Sequence, residues 1–126
     1  MAKPPDVLAS SIALQTMDAI SVWLPDTRVL MPGDDFFRAF PNISPIRGAR
    51  PRVPEDWIAS LEKMIALGPE HVVPSHTRPV TGATAARTAL AAYRDGIKSI
   101  LDQTLQGMRQ GERPDEDCND EDIKSK

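Results

Sequence analysis

The chain has 126 residues, of which 40% are hydrophobic, and its net charge at pH 7 is −3 with histidine neutral. This length suits a single domain, and the negative net charge gives no electrostatic reason to expect nucleic acid as a partner. The sequence predicts no membrane span, because no window approaches ~18 uninterrupted apolar residues, and its single cysteine, Cys118, excludes an internal disulfide.

The first part of the chain predicts an arm, a hairpin and a long loop. Residues 1–14 have no clear period and contain a Pro-Pro pair, so we expect an irregular N-terminal arm. No apolar run follows the first lysine, so we expect no secretory signal and a cytoplasmic location. Strand-forming residues over 20–24 and 28–31, joined by a Pro-Asp-Thr turn, predict a β-hairpin. Prolines recur through residues 32–54, which predicts a long loop.

A helix and a short strand follow this loop. The helix is predicted to begin near Pro54, which suits a first turn, and to end before Gly68. Its apolar residues recur at the spacing of one buried helix face; they are Trp57, Ile58, Leu61, Met64 and Ile65. Residues 70–74 then predict a short buried strand.

A second helix is predicted from about Ala83 to Met108. Its length, roughly 39 Å at about 1.5 Å per residue, exceeds what a small domain can cover, so we expect part of it to pack on another domain or another chain. Its apolar stripe repeats about every 3.5 residues, as a helical packing face does. The stripe consists of Ala86, Leu90, Tyr93, Ile97, Ile100, Leu101, Thr104, Leu105 and Met108.

The end of the chain differs in composition from the rest. Residues 111–126 contain seven acidic and three basic residues, with Ile123 as their only large apolar side chain. Such a segment cannot offset its ordering entropy by burial. We therefore expect a disordered acidic tail.

Two residues with metal-binding side chains follow predicted strands. Asp34 comes directly after the strand at 28–31, and His76 comes directly after the strand at 70–74. Strand ends fix the backbone while the loops expose side chains, and a carboxylate and an imidazole so placed suit zinc. A turn aspartate and a hydrogen-bonded histidine would give the same pattern, so spacing alone does not decide between a metal site and an ordinary turn.

Several separate blocks, in the right order, resemble the alkyl sulfatases of the metallo-β-lactamase superfamily. The blocks lie at residues 22–25, 29–35, 40–42, 46–49, 56–57 and 73–79, and the resemblance spans about residues 15–111. It implies an α/β (α+β) fold, a partial αβ/βα sandwich with about three strands and two main helices. Residues 15–110 would then be the C-terminal half of that domain, between the arm and the tail. The family hydrolyses alkyl sulfate esters with two zinc ions.

The resemblance also implies roles for individual residues. Asp34 matches the carboxylate that bridges the two zinc ions, and His76 matches the histidine that completes the ligand set of the second ion. Arg47 and Asn42 match positions that hold the sulfate group, for which a guanidinium fork and an amide donor are suited. Gln15 occupies a position where the family has a glutamate ligand, and a neutral amide oxygen is a poorer zinc donor.

The family's His-x-His-x-Asp-His motif does not occur in the sequence, whose two histidines are His71 and His76. A catalytic zinc needs about three protein ligands plus a position for water, and without tightly bound metal nothing lowers the pKa of that water. The sequence therefore predicts a truncated sulfuric ester hydrolase that is inactive alone.

Two other interpretations stay open at this point. The chain could be a non-catalytic module that forms a homodimer through the helix at 83–108, because half a sandwich exposes an apolar face. It could also be a gene fragment without a function of its own, because strands that lose their partners become exposed edges.

Overall fold

The computed structural model describes residues 20–39, 43 and 53–112, together with the backbone of residues 8–10. These residues form five strands and two α-helices, with a short 3-10 turn at Gly33–Asp35. The strands are β1 (Leu8–Ser10), β2 (Ser21–Leu24), β3 (Val29–Met31), β4 (His71–Val72) and β5 (Val80–Thr81); the helices are α1 (Pro54–Ala66) and α2 (Ala83–Gln110). The predicted α/β class and the two main helices are confirmed.

The five strands form one sheet in the order β1-β2-β3-β4-β5. Neighbouring strands are antiparallel except for β3 and β4, which run parallel and pair Val29 with His71 and Leu30 with Val72. A parallel pair requires a crossover connection, and α1 lies within that connection. The carboxyl ends of β3 and β4 therefore meet at the same edge of the sheet.

The three predicted strands are present as β2, β3 and β4, and the described residues add two short ones. The strand β1 lies inside the arm that was predicted to be irregular, and it pairs with β2, placing Leu8 opposite Trp23. The strand β5 has two residues and pairs with β4. Neither segment contains a run of strand-forming residues of the kind that marks β2, β3 and β4 in the sequence. The proposed domain boundaries stay a prediction, and the acidic tail beyond Glu112 lies outside the described residues.

The predicted buried face of α1 is confirmed. Pro54 occupies the first turn with two acidic residues, which favour the positive end of the helix dipole. Trp57, Leu61 and Met64 are buried, and Ile58 and Ile65 pack partly against the same cluster.

The long helix α2 is buried along only part of its predicted stripe. Ala86, Leu90, Tyr93 and Ile97 are buried, and α2 packs on α1, β4 and β5. Towards the C-terminus of α2 the residues of the stripe become exposed to solvent. Leu105 is 38% exposed and Met108 is 70% exposed. Neither helix of the described residues combines the length and the apolar character that spanning a membrane requires.

One hydrophobic core joins the sheet and both helices. Strands β2 to β5 each contribute to it, as does Phe36 after the 3-10 turn. Its buried members are Trp23, Leu30, Phe36, Trp57, Leu61, Met64, Val72, Val80, Ala86, Leu90, Tyr93 and Ile97. The sheet edge that carries Asp34 and His76 is therefore supported by one continuous hydrophobic core.

Arg28 joins the hairpin turn to the connection between α1 and β4. Its guanidinium donates to the carbonyl oxygen of Gly68 from Nε at 3.1 Å and from Nη2 at 2.6 Å. Its own carbonyl oxygen accepts from the backbone N–H groups of Glu70 and His71. Gly68 has a φ of +64°, and a Cβ there would lie 2.9 Å from Nη2 of Arg28.

We predict that Gly68→Ala lowers the free energy of unfolding by about 1–2 kcal/mol, because alanine is strained at positive φ and its methyl group displaces the Arg28 side chain. Urea unfolding of the purified protein measures the change. The control is Gly96→Ala in the interior of α2, where a Cβ would meet nothing within 4 Å; it should stabilise the protein by roughly 0.5–1 kcal/mol. Equal stabilities for Gly68→Ala and the parent would contradict the prediction.

Candidate metal centre

Asp34 and His76 lie together at the edge of the sheet. Asp34 is in the 3-10 turn after β3, and His76 is in the loop after β4, the strand that runs parallel to β3. Nε2 of His76 lies 3.3 Å from Oδ1 of Asp34, and their side chains are 70% and 54% exposed. The two residues thus meet as the sequence led us to expect, while their roles as metal ligands stay predictions.

Two hydrogen bonds flank this pair and hold the two loops side by side. On one side, the carbonyl oxygen of Gly33 accepts from the backbone N–H of Ser75 at 3.4 Å. On the other side, Oγ1 of Thr77 accepts from the backbone N–H of Arg38 at 3.1 Å. The contact between Asp34 and His76 lies between these two bonds along both loops.

A tight turn presents Asp34. Gly33 has a φ of +61°, and a Cβ at this position would lie 3.3 Å from the carbonyl oxygen of Ile20. The carbonyl oxygen of Pro32 accepts from the backbone N–H of Asp35 at 3.2 Å and from Oγ of Ser21 at 3.4 Å. Glycine is suited to this turn because it reaches positive φ without a steric penalty.

The segment that follows Asp34 is anchored on aromatic rings. The indole Nε1 of Trp57 donates to the main-chain oxygen of Asp35 at 2.9 Å. The rings of Phe36, Phe37 and Trp57 meet the ring of Tyr93 edge to face, at centroid distances of 5.3, 5.9 and 5.8 Å. Since such pairs add to the energy of simple burial, α1 and α2 both hold the turn that carries Asp34.

The two adjacent aspartates have opposite environments. Asp35 is fully buried, at 0% exposure, whereas the side chain of Asp34 is about half exposed and contacts His76. Of the two, Asp34 is therefore the carboxylate placed to meet a ligand from solution. The two residues are adjacent in the sequence, and the resemblance points to Asp34, which is the exposed one of the two in the structure.

Sequence analysis did not single out Thr77 or Arg38. Thr77 has a φ of 76°, which is unusual for a β-branched residue and costs on the order of 1–3 kcal/mol. A single sequence carries no signal for such a conformation, because threonine gives no hint of positive φ in the way that glycine does.

An apolar cavity of about 410 Å³ opens between residues 36–39 and α2. Aromatic rings and small side chains line it, with Arg38 as its charged member; the lining residues are Phe36, Phe37, Arg38, Ala39, Ala89, Ala92, Tyr93 and Gly96. Because Arg38 is bonded to Thr77, this cavity lies next to the loop that carries His76. Its volume is within the range of small-molecule sites.

The Linear primary-alkylsulfatase of Pseudomonas sp. (strain ATCC 19151) is 39% identical to this chain over 100 residues. The chain is homologous to the alkyl sulfatases. The aligned region is 79% of this chain and 19% of the relative, so the chain spans about a fifth of the length of the curated protein that it matches. No family model matches the chain.

Solved structures share the fold of this chain. A double mutant of the sec-alkyl sulfatase PisA1 aligns with 26% identity and a TM-score of 0.71, over 87% of this chain and 19% of that chain. The inverting sec-alkylsulfatase Pisa1 from Pseudomonas sp. gives a TM-score of 0.72 at 23% identity, again over 87% and 19%. A metallo-β-lactamase family protein from Thermus thermophilus shares the fold at 16% identity, with a TM-score of 0.55 over 80% and 36% of the two chains.

In the described part of this alkyl sulfatase homologue, the two side chains at the sheet edge are of types that bind zinc. They are too few, however, to form a zinc site by themselves. A carboxylate oxygen and an imidazole nitrogen are both zinc ligands. Within residues 8–10, 20–39, 43 and 53–112, however, no group of three or more His, Cys, Asp or Glu side chains could hold a metal ion. His71, the other histidine, lies in β4 opposite Val29 and Thr81 and is half-buried there.

Three of the predicted site residues of this homologue cannot be placed. Gln15, Asn42 and Arg47 lie outside the described residues. The weakened zinc position assigned to Gln15, and the sulfate contacts assigned to Asn42 and Arg47, therefore stay predictions.

Proposed function

We propose that this chain is the part of an alkyl sulfatase-type metallohydrolase that supplies one carboxylate and one imidazole to a zinc centre. The observation that carries the proposal is the 3.3 Å separation between Oδ1 of Asp34 and Nε2 of His76 at the edge of the sheet. Homology to an alkylsulfatase supports interpreting this pair as metal ligands rather than as part of an ordinary turn. In the proposal Asp34 would hold zinc through its carboxylate and His76 through its imidazole.

The other parts of the proposed site would bind the substrate, a sulfate ester of an alkyl chain. Arg47 and Asn42 would hold the sulfate oxygens through charge-assisted hydrogen bonds. The cavity along α2 suits a hydrocarbon chain, because its walls are mostly aromatic and small apolar side chains. Zinc, when bound, would supply an activated water and polarise the ester.

The remaining zinc donors are part of the proposal as well. The sequence has two histidines and no His-x-His-x-Asp-His motif, and the described residues offer two donors where a catalytic zinc needs about three. Because that motif is absent from the sequence, we propose that its ligands come from a neighbouring segment or a partner chain, and that the chain alone is inactive.

The zinc half of the proposal predicts weak binding that depends on both donors. We expect His76→Ala and Asp34→Ala each to weaken zinc binding by at least about tenfold, because the loss of a ligand costs no less than the loss of an outer-shell partner. Equilibrium dialysis against zinc chloride at pH 7 measures the affinity. His71→Ala is the matched control, since it removes the other histidine, which lies in β4.

Thermal melting of each variant shows whether it is folded, and an exposed pair of this kind should contribute only about 0–1 kcal/mol to stability. If His71→Ala weakens zinc binding as much as His76→Ala does, or if neither change matters, the assignment of the centre to Asp34 and His76 is wrong.

The catalytic half of the proposal predicts no turnover by the chain alone. Incubated with zinc and a linear primary alkyl sulfate, the 126-residue protein should release no more inorganic sulfate than a zinc-containing blank, because an incomplete ligand set cannot activate water. Ion chromatography measures the release. Sulfate release that requires zinc and is lost in His76→Ala would show that the chain holds a complete site.

The exposed end of α2 favours a second candidate function, a dimerising module. Leu105 and Met108 continue the apolar stripe of α2 beyond its buried part, and both are exposed. A second copy of the chain could cover them through a two-fold contact between helices, since a self-complementary patch commonly gives such dimers.

This candidate predicts a concentration-dependent dimer at micromolar protein. Leu105→Asp combined with Met108→Asp should abolish it, because the contact would then place like charges against each other. Analytical ultracentrifugation measures the assembly. The double substitution Gln103→Asp and Gln106→Asp, at exposed polar positions of the same helix, is the matched control. A monomer at every concentration would exclude the module.

A further inference from the structure

We infer that Thr77 is a positioning residue, which fixes the direction in which His76 faces Asp34. The inference rests on the proposed function in that His76 is taken as a metal ligand. It adds a residue for which neither the sequence pattern nor the comparisons give a role. Two independent observations carry it: the backbone conformation of Thr77 and the hydrogen bond that its side chain accepts.

The backbone of Thr77 is held in a conformation that threonine disfavours. Its φ is 76°, in the left-handed region where a β-branched side chain crowds the neighbouring peptide. Glycine would adopt this conformation without strain. A strained residue persists only where surrounding contacts impose its conformation, and such residues cluster at functional sites.

The side chain of Thr77 supplies one of those contacts. Its Oγ1 accepts from the backbone N–H of Arg38 at 3.1 Å, and Arg38 directly follows the phenylalanines that pack on Tyr93. The loop that carries His76 is therefore hydrogen-bonded to a segment that packs on α2.

The bond at Thr77 is the one that depends on the residue type. His76 lies between Ser75 and Thr77, and each of these two residues makes a hydrogen bond to the segment 33–38. The backbone N–H of Ser75 donates to the carbonyl oxygen of Gly33, and a main-chain bond of this kind survives a change of side chain. The bond at Thr77 requires a side-chain acceptor. The orientation of the imidazole towards Asp34 therefore depends on the hydroxyl of Thr77.

Three substitutions separate the hydroxyl from the backbone conformation. Thr77→Val removes the acceptor and keeps the branched shape, so the strain at positive φ stays. Thr77→Ser keeps the acceptor. Thr77→Gly removes both the acceptor and the strain. Thr88→Val, at an exposed position of α2, is the matched control for the change from threonine to valine.

The test uses NMR spectroscopy of the full 126-residue chain, labelled with ¹³C and ¹⁵N and free of metal. One readout is the nuclear Overhauser effect between the imidazole protons of His76 and the β-protons of Asp34. The other is the exchange rate of the Arg38 amide proton. We expect the parent, Thr77→Ser and Thr88→Val to show the Overhauser effect, with an Arg38 amide protected at least about tenfold. Thr77→Val and Thr77→Gly should lose both signals.

Several outcomes would overturn the inference. It is wrong if Thr77→Val keeps the Overhauser effect, or if Thr77→Ser loses it. An Arg38 amide that exchanges at the unstructured rate in the parent also overturns it, and that measurement needs no variant to fold.

A zinc chloride titration, followed by the His76 ring signals, separates this inference from the proposed function. We expect a saturable shift in the parent, an affinity at least about tenfold lower in Thr77→Val, and recovery in Thr77→Ser. If zinc causes no saturable shift in the parent, the metal function fails, while the Overhauser and exchange measurements still decide whether Thr77 positions His76.

Discussion

The parallel pairing of β3 with β4 is the constraint on which the candidate site depends. Parallel strands bring their carboxyl ends to the same edge, so residues far apart in sequence meet wherever each strand ends. Asp34 follows β3 and His76 follows β4, with α1 between the two strands. An antiparallel pairing of the same two strands would send these residues to opposite edges.

The site and its support differ sharply in exposure. Asp34 and His76 are 54% and 70% exposed, whereas Trp57 and Phe36, which hold the turn beneath them, are 1% and 2% exposed. The core therefore fixes the backbone while the side chains of Asp34 and His76 stay exposed to solvent. Side chains that a packed scaffold supports in this way can be correctly positioned before any metal ion binds.

Periodicity explains which elements could be predicted from sequence. The faces of α1 and the first half of α2 follow from the spacing of their apolar residues, and the hairpin follows from strand formers around a turn. The strands β1 and β5 are as short as β3 and β4. They escape prediction because residues 8–10 contain no β-branched or aromatic residue and because Val80–Thr81 is an isolated pair between Pro79 and Gly82. Periodicity also marks Met108 as part of a packing face, although it is 70% exposed, because a repeat identifies a face but not what covers it. The resemblance named Asp34 and His76, and the structure adds that Asp34 is exposed whereas its neighbour Asp35 is buried.

The contact between Asp34 and His76 cannot itself organise the loops that carry it. An exposed contact between two polar side chains contributes at most about 1 kcal/mol, which is no more than the cost of holding Thr77 at positive φ. The order must come from elsewhere: from the main-chain bond between Ser75 and Gly33, the bond between Arg38 and Thr77, and the rings around Tyr93. Asp34 and His76 are thus brought together by contacts that do not involve their own side chains, so a ligand of the pair would meet two side chains that the fold has already placed side by side.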